Sequence, residues 1–133
     1  MGVVEDWVNA YNARDFAGVA RCLSKDDFER VGPYMDVISS SAEYVAFLER
    51  VVPTLGDDYR LDIERVVYVP DAHVAYAELI EHYRHDGDMR DTPEIIVFGT
   101  GDDGLVHRMR LYLQRPGGQA PVGGRAAMGT TET

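Results

Sequence analysis

The chain has 133 residues, of which 45% are apolar and 27% are charged, as in an ordinary globular domain. Its net charge of −10 argues against binding to nucleic acid or to anionic membranes, because both need clustered cations. Cys22 is the only cysteine, which excludes an intrachain disulfide and a cysteine-based zinc site.

The N-terminal segment predicts two helices. Asp15 is a candidate N-cap for a second, short helix from Phe16 to Leu23. The first helix has one apolar stripe at helical spacing: Val4, Trp7, Val8 and Tyr11. This amphipathic, partly acidic start resembles neither a signal nor a transit peptide, and no apolar run approaches the ~20 residues that span a bilayer. We therefore expect a cytoplasmic protein.

A short strand and a third helix come next. Residues 27–34 predict the strand, which closes at Gly32-Pro33, and a loop then leads to the helix. Ser40 and Glu43 have capping-box spacing, and Pro53 with Gly56 ends the helix. Its buried stripe consists of Tyr44, Val45, Leu48, Val51 and Val52.

The hydrophobic period then changes to that of strands. Four long strands are predicted over residues 59–69, 73–84, 92–100 and 105–115, separated by turns at 70–71, 86–87 and 101–104. Helices followed by a meander of strands indicate the α+β class. Residues 116–133 are rich in Gly and Pro without any period. The sequence thus predicts one domain, residues 1–115, and a flexible tail, residues 116–133.

Two patterns resemble a known superfamily. They are W-x-x-x-Y-N-x-x-D-F from Trp7 to Phe16 and G-L-V-x-R-x-R-x-Y from Gly104 to Tyr112. Both are similar to the SnoaL-like proteins, which share the cone fold of nuclear transport factor 2 and ketosteroid isomerase. The resemblance covers residues 3–115 and implies a cone-shaped α+β barrel, in which three helices pack on a strongly curved, mixed or antiparallel sheet. Members include isomerases, polyketide cyclases, epoxide hydrolases, dehydratases and non-catalytic binding or dimerisation modules.

The known catalytic residues of these relatives are mostly replaced in this chain. The isomerase tyrosine falls at Trp7, its general base near Arg30 or Val31, and its second Asp at Ile96. Limonene-type epoxide hydrolases use an Arg and an Asp two residues apart on one strand and a further Asp on the last strand, and the matching positions here are Leu79, Glu81 and Leu111. The dehydratase Asp after the helical Tyr is Asn12. The resemblance therefore implies a pocket more strongly than it implies a particular reaction.

Alternation along the strands predicts which side chains face that pocket. Glu81, Glu94 and His107 fall on inward positions and are the candidate acid–base residues. Apolar surroundings disfavour a charged carboxylate, so its pKa rises toward the range useful for proton transfer. The candidate ligand contacts are Trp7, Tyr11, Tyr83, Ile96, Met109 and Leu111.

Each of these residues also has a structural interpretation. Trp7 and Tyr11 can be core residues, and Glu81 can pair with Arg84 or with a cation on a neighbouring strand. Glu94 follows a proline at a strand start, and His107 lies near a turn, so both can be exposed. His82 and His85 point to opposite faces of a strand, and we expect no metal site and no cofactor.

The other face of the sheet predicts an interaction surface. It carries aromatic, aliphatic and charged residues: Tyr76, Glu78, Ile80, His82, Val97, Arg108, Arg110 and Tyr112. We expect a homodimer through this outer face and a small hydrophobic, polyketide- or steroid-like ligand in the pocket. The ligand suits a cofactor-independent isomerase, cyclase or dehydratase; the alternative is a non-catalytic ligand-binding or dimerisation module.

Overall fold

The computed structural model describes residues 2–114, which form three α-helices and six β-strands. The helices are α1 (Val3–Asn12), α2 (Phe16–Arg21) and α3 (Ser41–Val51). The strands are β1 (Glu29–Val31), β2 (Val37–Ile38), β3 (Arg60–Val69), β4 (Val74–His85), β5 (Asp88–Thr100) and β6 (Val106–Leu113). The predicted boundary at residue 115 and the tail of residues 116–133 lie outside the described residues. None of the helices in residues 2–114 combines the length and the apolar character needed to cross a membrane.

Side-chain caps fix the start of two helices where the sequence predicted them. The Asp15 carboxylate accepts a hydrogen bond from the Gly18 N–H (2.9 Å), and the Ser40 hydroxyl accepts one from the Glu43 N–H (3.1 Å). The predicted stripe of α1 is buried in the core. Helix α2 ends two residues earlier than expected, because Leu23 instead forms a bridge to Val106 at the start of β6.

The six strands form one mixed sheet in the order β2-β1-β6-β5-β4-β3. All neighbouring pairs are antiparallel except β1 and β6, which run parallel. The core lies between the helices and one face of this sheet, here called the inner face. The predicted α+β class, with three helices on a mixed sheet, is therefore confirmed.

Turns account for the differences in strand boundaries. The expected strand over residues 27–34 is only the three residues of β1, because the Gly32 N–H bonds the Asp36 carbonyl (2.8 Å) and turns the chain into β2. Strand β5 begins at Asp88, four residues before the predicted start. Asp86 and Gly87 both have positive φ, so their two-residue turn lets β4 and β5 pair directly from His85 and Asp88 onward.

A bulge interrupts the alternation of β6. Gly99 of β5 pairs with Arg108, but the next residue, Thr100, pairs with Val106, so His107 is an extra residue in β6. Val106 and Met109 are consequently both fully buried although they are three residues apart. The prediction that side chains alternate strictly between the two faces along this strand is therefore wrong before residue 109.

Asn12 attaches the end of α1 to the edge strand β3. Its side-chain N–H donates to the Leu61 carbonyl (2.8 Å), and its side-chain oxygen accepts from the Leu61 N–H (2.9 Å). Arg14 reinforces this junction by donating to the Tyr59 carbonyl (2.7 Å). Only an amide side chain can donate and accept in this arrangement, which explains why Asn, rather than Asp, suits this position.

This junction gives the first testable prediction. Asn12→Asp replaces the donor with a second acceptor facing the Leu61 carbonyl, so we expect a loss of about 1–3 kcal/mol in unfolding free energy. Urea denaturation followed by circular dichroism measures this loss. Asn9→Asp, at an exposed site of the same helix, is the matched control and should change stability much less. Equal stability of the two variants would contradict the assigned role of Asn12.

Candidate functional site

A cavity of about 190 Å³ lies between helices α1 and α3 and the inner face of the sheet. Aliphatic residues form part of its wall, among them Ile96 and Leu111. The aromatic residues of the wall are Trp7, Tyr11, Tyr44, Phe47 and Tyr59. The ring of Trp7 packs 5.0 Å from that of Tyr11 and edge-on at 5.6 Å from Phe98 beneath it. The wall is thus mainly aromatic and aliphatic, as is usual for small-molecule sites.

Two carboxylates enter this cavity from adjacent strands. Glu81 of β4 lies opposite Thr92, and Glu94 of β5 lies opposite Leu79, so the two glutamates are diagonal neighbours on the inner face. Glu94 is only 5% exposed, and Glu81 is partly buried. Glu81 does not pair with Arg84, which instead binds Asp58 (2.6 Å).

The environment of the two carboxylates separates their roles. Burial raises the pKa of Glu94 to about 8; the charge of Glu81 adds to this rise, and Arg30 opposes it. Burial also raises the pKa of Glu81, while the hydrogen bond from Tyr59 acts in the opposite direction. Two neighbouring carboxylates do not both ionise readily, and the pKa of Glu94 is the more strongly raised of the two, so Glu94 is the member of the pair that keeps its proton to higher pH.

Two tyrosines connect α1 to Glu81. The Tyr59 hydroxyl donates to a carboxylate oxygen of Glu81 (2.8 Å), and it lies 2.6 Å from the Tyr11 hydroxyl. Because the Tyr59 hydroxyl donates its hydrogen bond to Glu81, the hydrogen bond between the two hydroxyls must be donated by Tyr11. Burial raises the pKa of both phenols above the usual range, so they remain neutral donors. The pair holds the Glu81 carboxylate in place.

Arg30 of β1 brings a positive charge to the same cavity. It is 7% exposed, and its Nη1 donates to the Asp36 carboxylate (2.9 Å). Its guanidinium also lies over the rings of Tyr44 (5.8 Å) and Phe47 (5.4 Å). The cavity therefore combines two acids, one cation and a hydroxyl pair within an apolar wall.

The structure brings together six of the nine predicted site residues. These cavity-lining residues are Trp7, Tyr11, Glu81, Glu94, Ile96 and Leu111. Tyr83 lies just outside, where its ring meets that of Tyr59 edge-on at 6.4 Å. Met109 is fully buried in the core and does not line the cavity.

The prediction that His107 faces the cavity is wrong. The bulge in β6 turns its side chain to the rim of the sheet, where Nε2 lies 3.0 Å from Asp103 and Nδ1 lies 3.6 Å from Asp27. His107 is therefore a partner of surface carboxylates and is separated from the Glu81–Glu94 pair.

Two polar residues of the cavity, Tyr59 and Arg30, are not among the residues predicted from the sequence. Tyr59 precedes β3 but shares the parity of Leu61, which is buried on the inner face. Arg30 likewise shares the parity of Phe28 and lies beside Met109 across the parallel pair of β1 and β6. Side chains two residues apart on a strand point to the same face. The buried residues Leu61 and Phe28 therefore predict that Tyr59 and Arg30 point inward as well.

A wider groove adjoins the cavity. It has a volume of about 780 Å³, and Glu81 lines both spaces. Aromatic and polar residues line the groove, including Tyr34, Tyr83, Arg90 and Thr92. Glu81 thus lies where a small enclosed space meets a larger open one.

Comparison with known proteins identifies the family. The model of the SnoaL-like domain family matches residues 4–109, most of the described chain. No curated protein sequence matches the chain significantly.

Solved structures share the fold at low sequence identity. A candidate ketosteroid isomerase from Kribbella flavida is 20% identical, with a TM-score of 0.72 over 95% of this chain and 84% of that one. An LEH-like epoxide hydrolase of M. tuberculosis is also 20% identical, with a TM-score of 0.71 over 84% of this chain and 80% of that one. A candidate polyketide cyclase from Xanthomonas campestris is 20% identical, with a TM-score of 0.68 over 83% of this chain and 86% of that one. These likenesses show the fold alone.

The raised pKa of Glu94 predicts a pH-dependent loss of stability. Between about pH 4.5, the ordinary glutamate value, and about pH 8, the folded protein keeps a proton that the unfolded chain releases. The free energy of unfolding therefore falls as pH rises through this range and levels off above it. Glu94→Gln removes this contribution. We therefore expect the free energy of unfolding of the variant, relative to that of the wild type, to increase by a few kcal/mol as the pH rises through this range.

Urea denaturation at a series of pH values tests this expectation. Glu64→Gln, at an exposed position of β3, is the control and should follow the wild-type pH profile. If Glu94→Gln also follows that profile, Glu94 titrates normally and does not hold a proton at neutrality.

Proposed function

The chain belongs to the SnoaL-like domain family, and from this premise we propose that its cavity binds a small, mainly apolar molecule and transfers a proton on it. Glu81 acts as the base and Glu94 as the acid, and the reaction is an isomerisation, cyclisation or dehydration carried out by side chains alone. The observation that supports the proposal is the burial of two carboxylates in one cavity, where burial and the neighbouring Glu81 favour the protonated form of Glu94, and Tyr59 donates a hydrogen bond to Glu81.

The hydrogen bonds around Glu81 support its role as a base. Tyr59 donates to one of its carboxylate oxygens, which leaves the other free to accept a proton from a bound molecule. The Tyr11–Tyr59 pair limits the rotation of this carboxylate before a ligand arrives. Such preorganisation reduces the cost of reaching a reactive geometry.

The arrangement of spaces supports a ligand larger than the cavity itself. A volume of about 190 Å³ is below the usual range for small-molecule pockets. A polyketide- or steroid-like molecule would place its reacting ring in the cavity, beside Glu81, and extend into the groove of about 780 Å³. Two of the structures with this fold are a candidate ketosteroid isomerase and a candidate polyketide cyclase, and both names refer to ligands of this class.

A minimal substrate tests proton transfer without knowledge of the natural one. Isomerisation of 3-cyclohexenone to conjugated 2-cyclohexenone removes a proton beside the carbonyl and returns one at the γ carbon, and the product is detected by its ultraviolet absorbance. We expect the wild type to accelerate this reaction and Glu81→Gln to lower its rate by about 10²-fold or more, because the amide cannot accept the proton.

Glu78→Gln is the matched control, since Glu78 lies on the same strand but on its outer face. Its rate should equal that of the wild type. A Glu81→Gln variant with wild-type rate would remove Glu81 from the mechanism. A wild type that binds 2-cyclohexenone but does not catalyse the reaction would favour the non-catalytic alternative.

The outer face of the sheet supports dimerisation, which is compatible with either function of the cavity. The outer face of the sheet exposes large apolar side chains, among them Val67 (46%), Tyr76 (45%), Ile95 (42%) and Tyr112 (56%). Exposed apolar side chains on one face are typical of an interface. We propose that a second copy of the chain covers this face in a two-fold dimer, whether or not the cavity is catalytic.

Two charge substitutions at the centre of the outer face test the dimer. We expect the wild type to have the mass of a dimer by light scattering, and Tyr76→Asp with Tyr112→Asp to have that of a monomer. Met35→Asp, at an exposed site in the β1–β2 turn, is the control and should leave the mass unchanged. A wild type that is monomeric, or a double variant that is still a dimer, would exclude this interface.

A further inference from the structure

The hairpin of β4 and β5 continues the inner face of the sheet beyond the cavity and forms one wall of the wider groove. Glu81 lies opposite Thr92 in this hairpin, and Tyr83 lies opposite Arg90, one step farther from the cavity. All four residues line the groove. Side chains two residues apart on a strand share a face, so Arg90 is a diagonal neighbour of Glu81, about 7 Å away. A ligand that extends from the cavity along this wall therefore meets Arg90 next.

Arg90 is a cation without a partner on this wall. It is partly buried, and it makes no hydrogen bond, ion pair or ring contact within residues 2–114. The other arginines of these residues contact a carboxylate, a backbone carbonyl or an aromatic ring, except Arg110, which is exposed on the outer face. Carboxylates are plentiful in this chain, which has 23 Asp and Glu residues. The guanidinium of Arg90 is thus available to a ligand in the groove.

We propose that Arg90 binds a carboxylate of the ligand, and that the substrate class is a small, mainly apolar monocarboxylic acid. This inference rests on the proposed function, because it concerns the ligand of the same site. The planar fork of a guanidinium matches the two oxygens of a carboxylate and binds them in parallel. One cation balances one negative charge, whereas a phosphate monoester brings a charge of about −1.5 to −2.

The charges along the wall also determine the direction in which such an acid binds. Glu81 and Glu94 lie at the cavity end, and Arg90 lies at the groove end. A ligand carboxylate is attracted by the arginine and repelled by a charged glutamate. The apolar wall of the cavity also disfavours burial of a further charge. The acid therefore enters with its apolar part first, which brings the atoms about 7 Å from its carboxylate beside Glu81.

Tyr83 supplies an apolar surface between the two ends. Its ring meets that of Tyr59 edge-on at 6.4 Å and lies 6.2 Å from the ring of His85. An aromatic ring held between two others is a flat surface on which a ring of the ligand can pack. His85 also lines the groove, but its Nε2 lies 3.2 Å from the Asp86 carboxylate. Arg90 is therefore the unpaired cation that this part of the groove offers.

Three naphthalene derivatives test the carboxylate site. 2-Naphthylacetate and 2-naphthylacetamide have the same ring system and nearly the same shape, but only the acetate is charged at neutral pH. 2-Naphthyl phosphate places a larger negative charge on the same ring system. Isothermal titration calorimetry measures the affinity of the full chain for each probe at neutral pH.

We expect the wild type to bind the acetate at least about tenfold more tightly than the amide, because a hydrogen-bonded charge pair forms only with the acetate. The phosphate should bind more weakly than the acetate. Arg90→Gln should weaken binding of the acetate and leave that of the amide unchanged, and Arg90→Lys should retain part of the preference. Because Arg90 has no partner to lose within residues 2–114, Arg90→Gln should fold normally, which circular dichroism checks.

Lys25→Gln is the matched control. It also removes one positive charge, but at an exposed site outside the groove, so it should keep the wild-type preference for the acetate. A preference that is lost equally in Lys25→Gln and Arg90→Gln would reflect the net charge of the protein and would overturn the site.

The other outcomes separate this inference from the proposed function. Equal affinity for the acetate and the amide, or a preference that persists in Arg90→Gln, overturns the carboxylate site, even if Glu81→Gln abolishes isomerisation. Tighter binding of the phosphate overturns the choice of a monocarboxylic acid. A preference lost in Arg90→Gln alone supports the site, even if no variant changes the isomerisation rate and the proton-transfer proposal fails. Absence of binding by all three probes overturns the site, while the isomerisation assay still decides the role of Glu81.

Discussion

The bidentate contact between Asn12 and the backbone of Leu61 is the constraint on which the site depends. It fixes the end of helix α1 against the edge strand β3, and so sets the height of the helix above the sheet. Tyr11 precedes Asn12, and its hydroxyl thereby meets that of Tyr59, which in turn donates to Glu81. One backbone attachment at the edge of the sheet thus determines the orientation of a carboxylate on the next strand.

The charges inside the cavity compensate one another. Arg30 is a cation of the cavity wall and is paired with Asp36, while the raised pKa of Glu94 limits the negative charge that Glu81 and Glu94 carry together. This balance matters because an unpaired buried charge costs several kcal/mol.

The features that the sequence predicted correctly depend on short-range patterns. The caps at Asp15 and Ser40, the stripe of α1 and the long strands all follow from local spacing, and the inward parity of Glu81 and Glu94 follows from simple alternation. The errors arise from contacts distant in sequence. The parallel pairing of β1 with β6 joins residues almost 80 positions apart. It brings Arg30 inside, whereas a charged residue in a three-residue strand is ordinarily expected at the surface. A bulge leaves no mark in the hydrophobic pattern, so His107 was placed on the wrong face.

The bulge at His107 also divides the last strand into two segments with different surroundings. The segment before it, with Val106 bridged to Leu23, belongs to the scaffold, whereas Leu111, after it, lines the cavity. The Leu23 bridge and the cavity wall therefore depend on opposite sides of the bulge, so a substitution at position 111 changes the shape of the cavity without touching the contact that ties the start of the strand to helix α2.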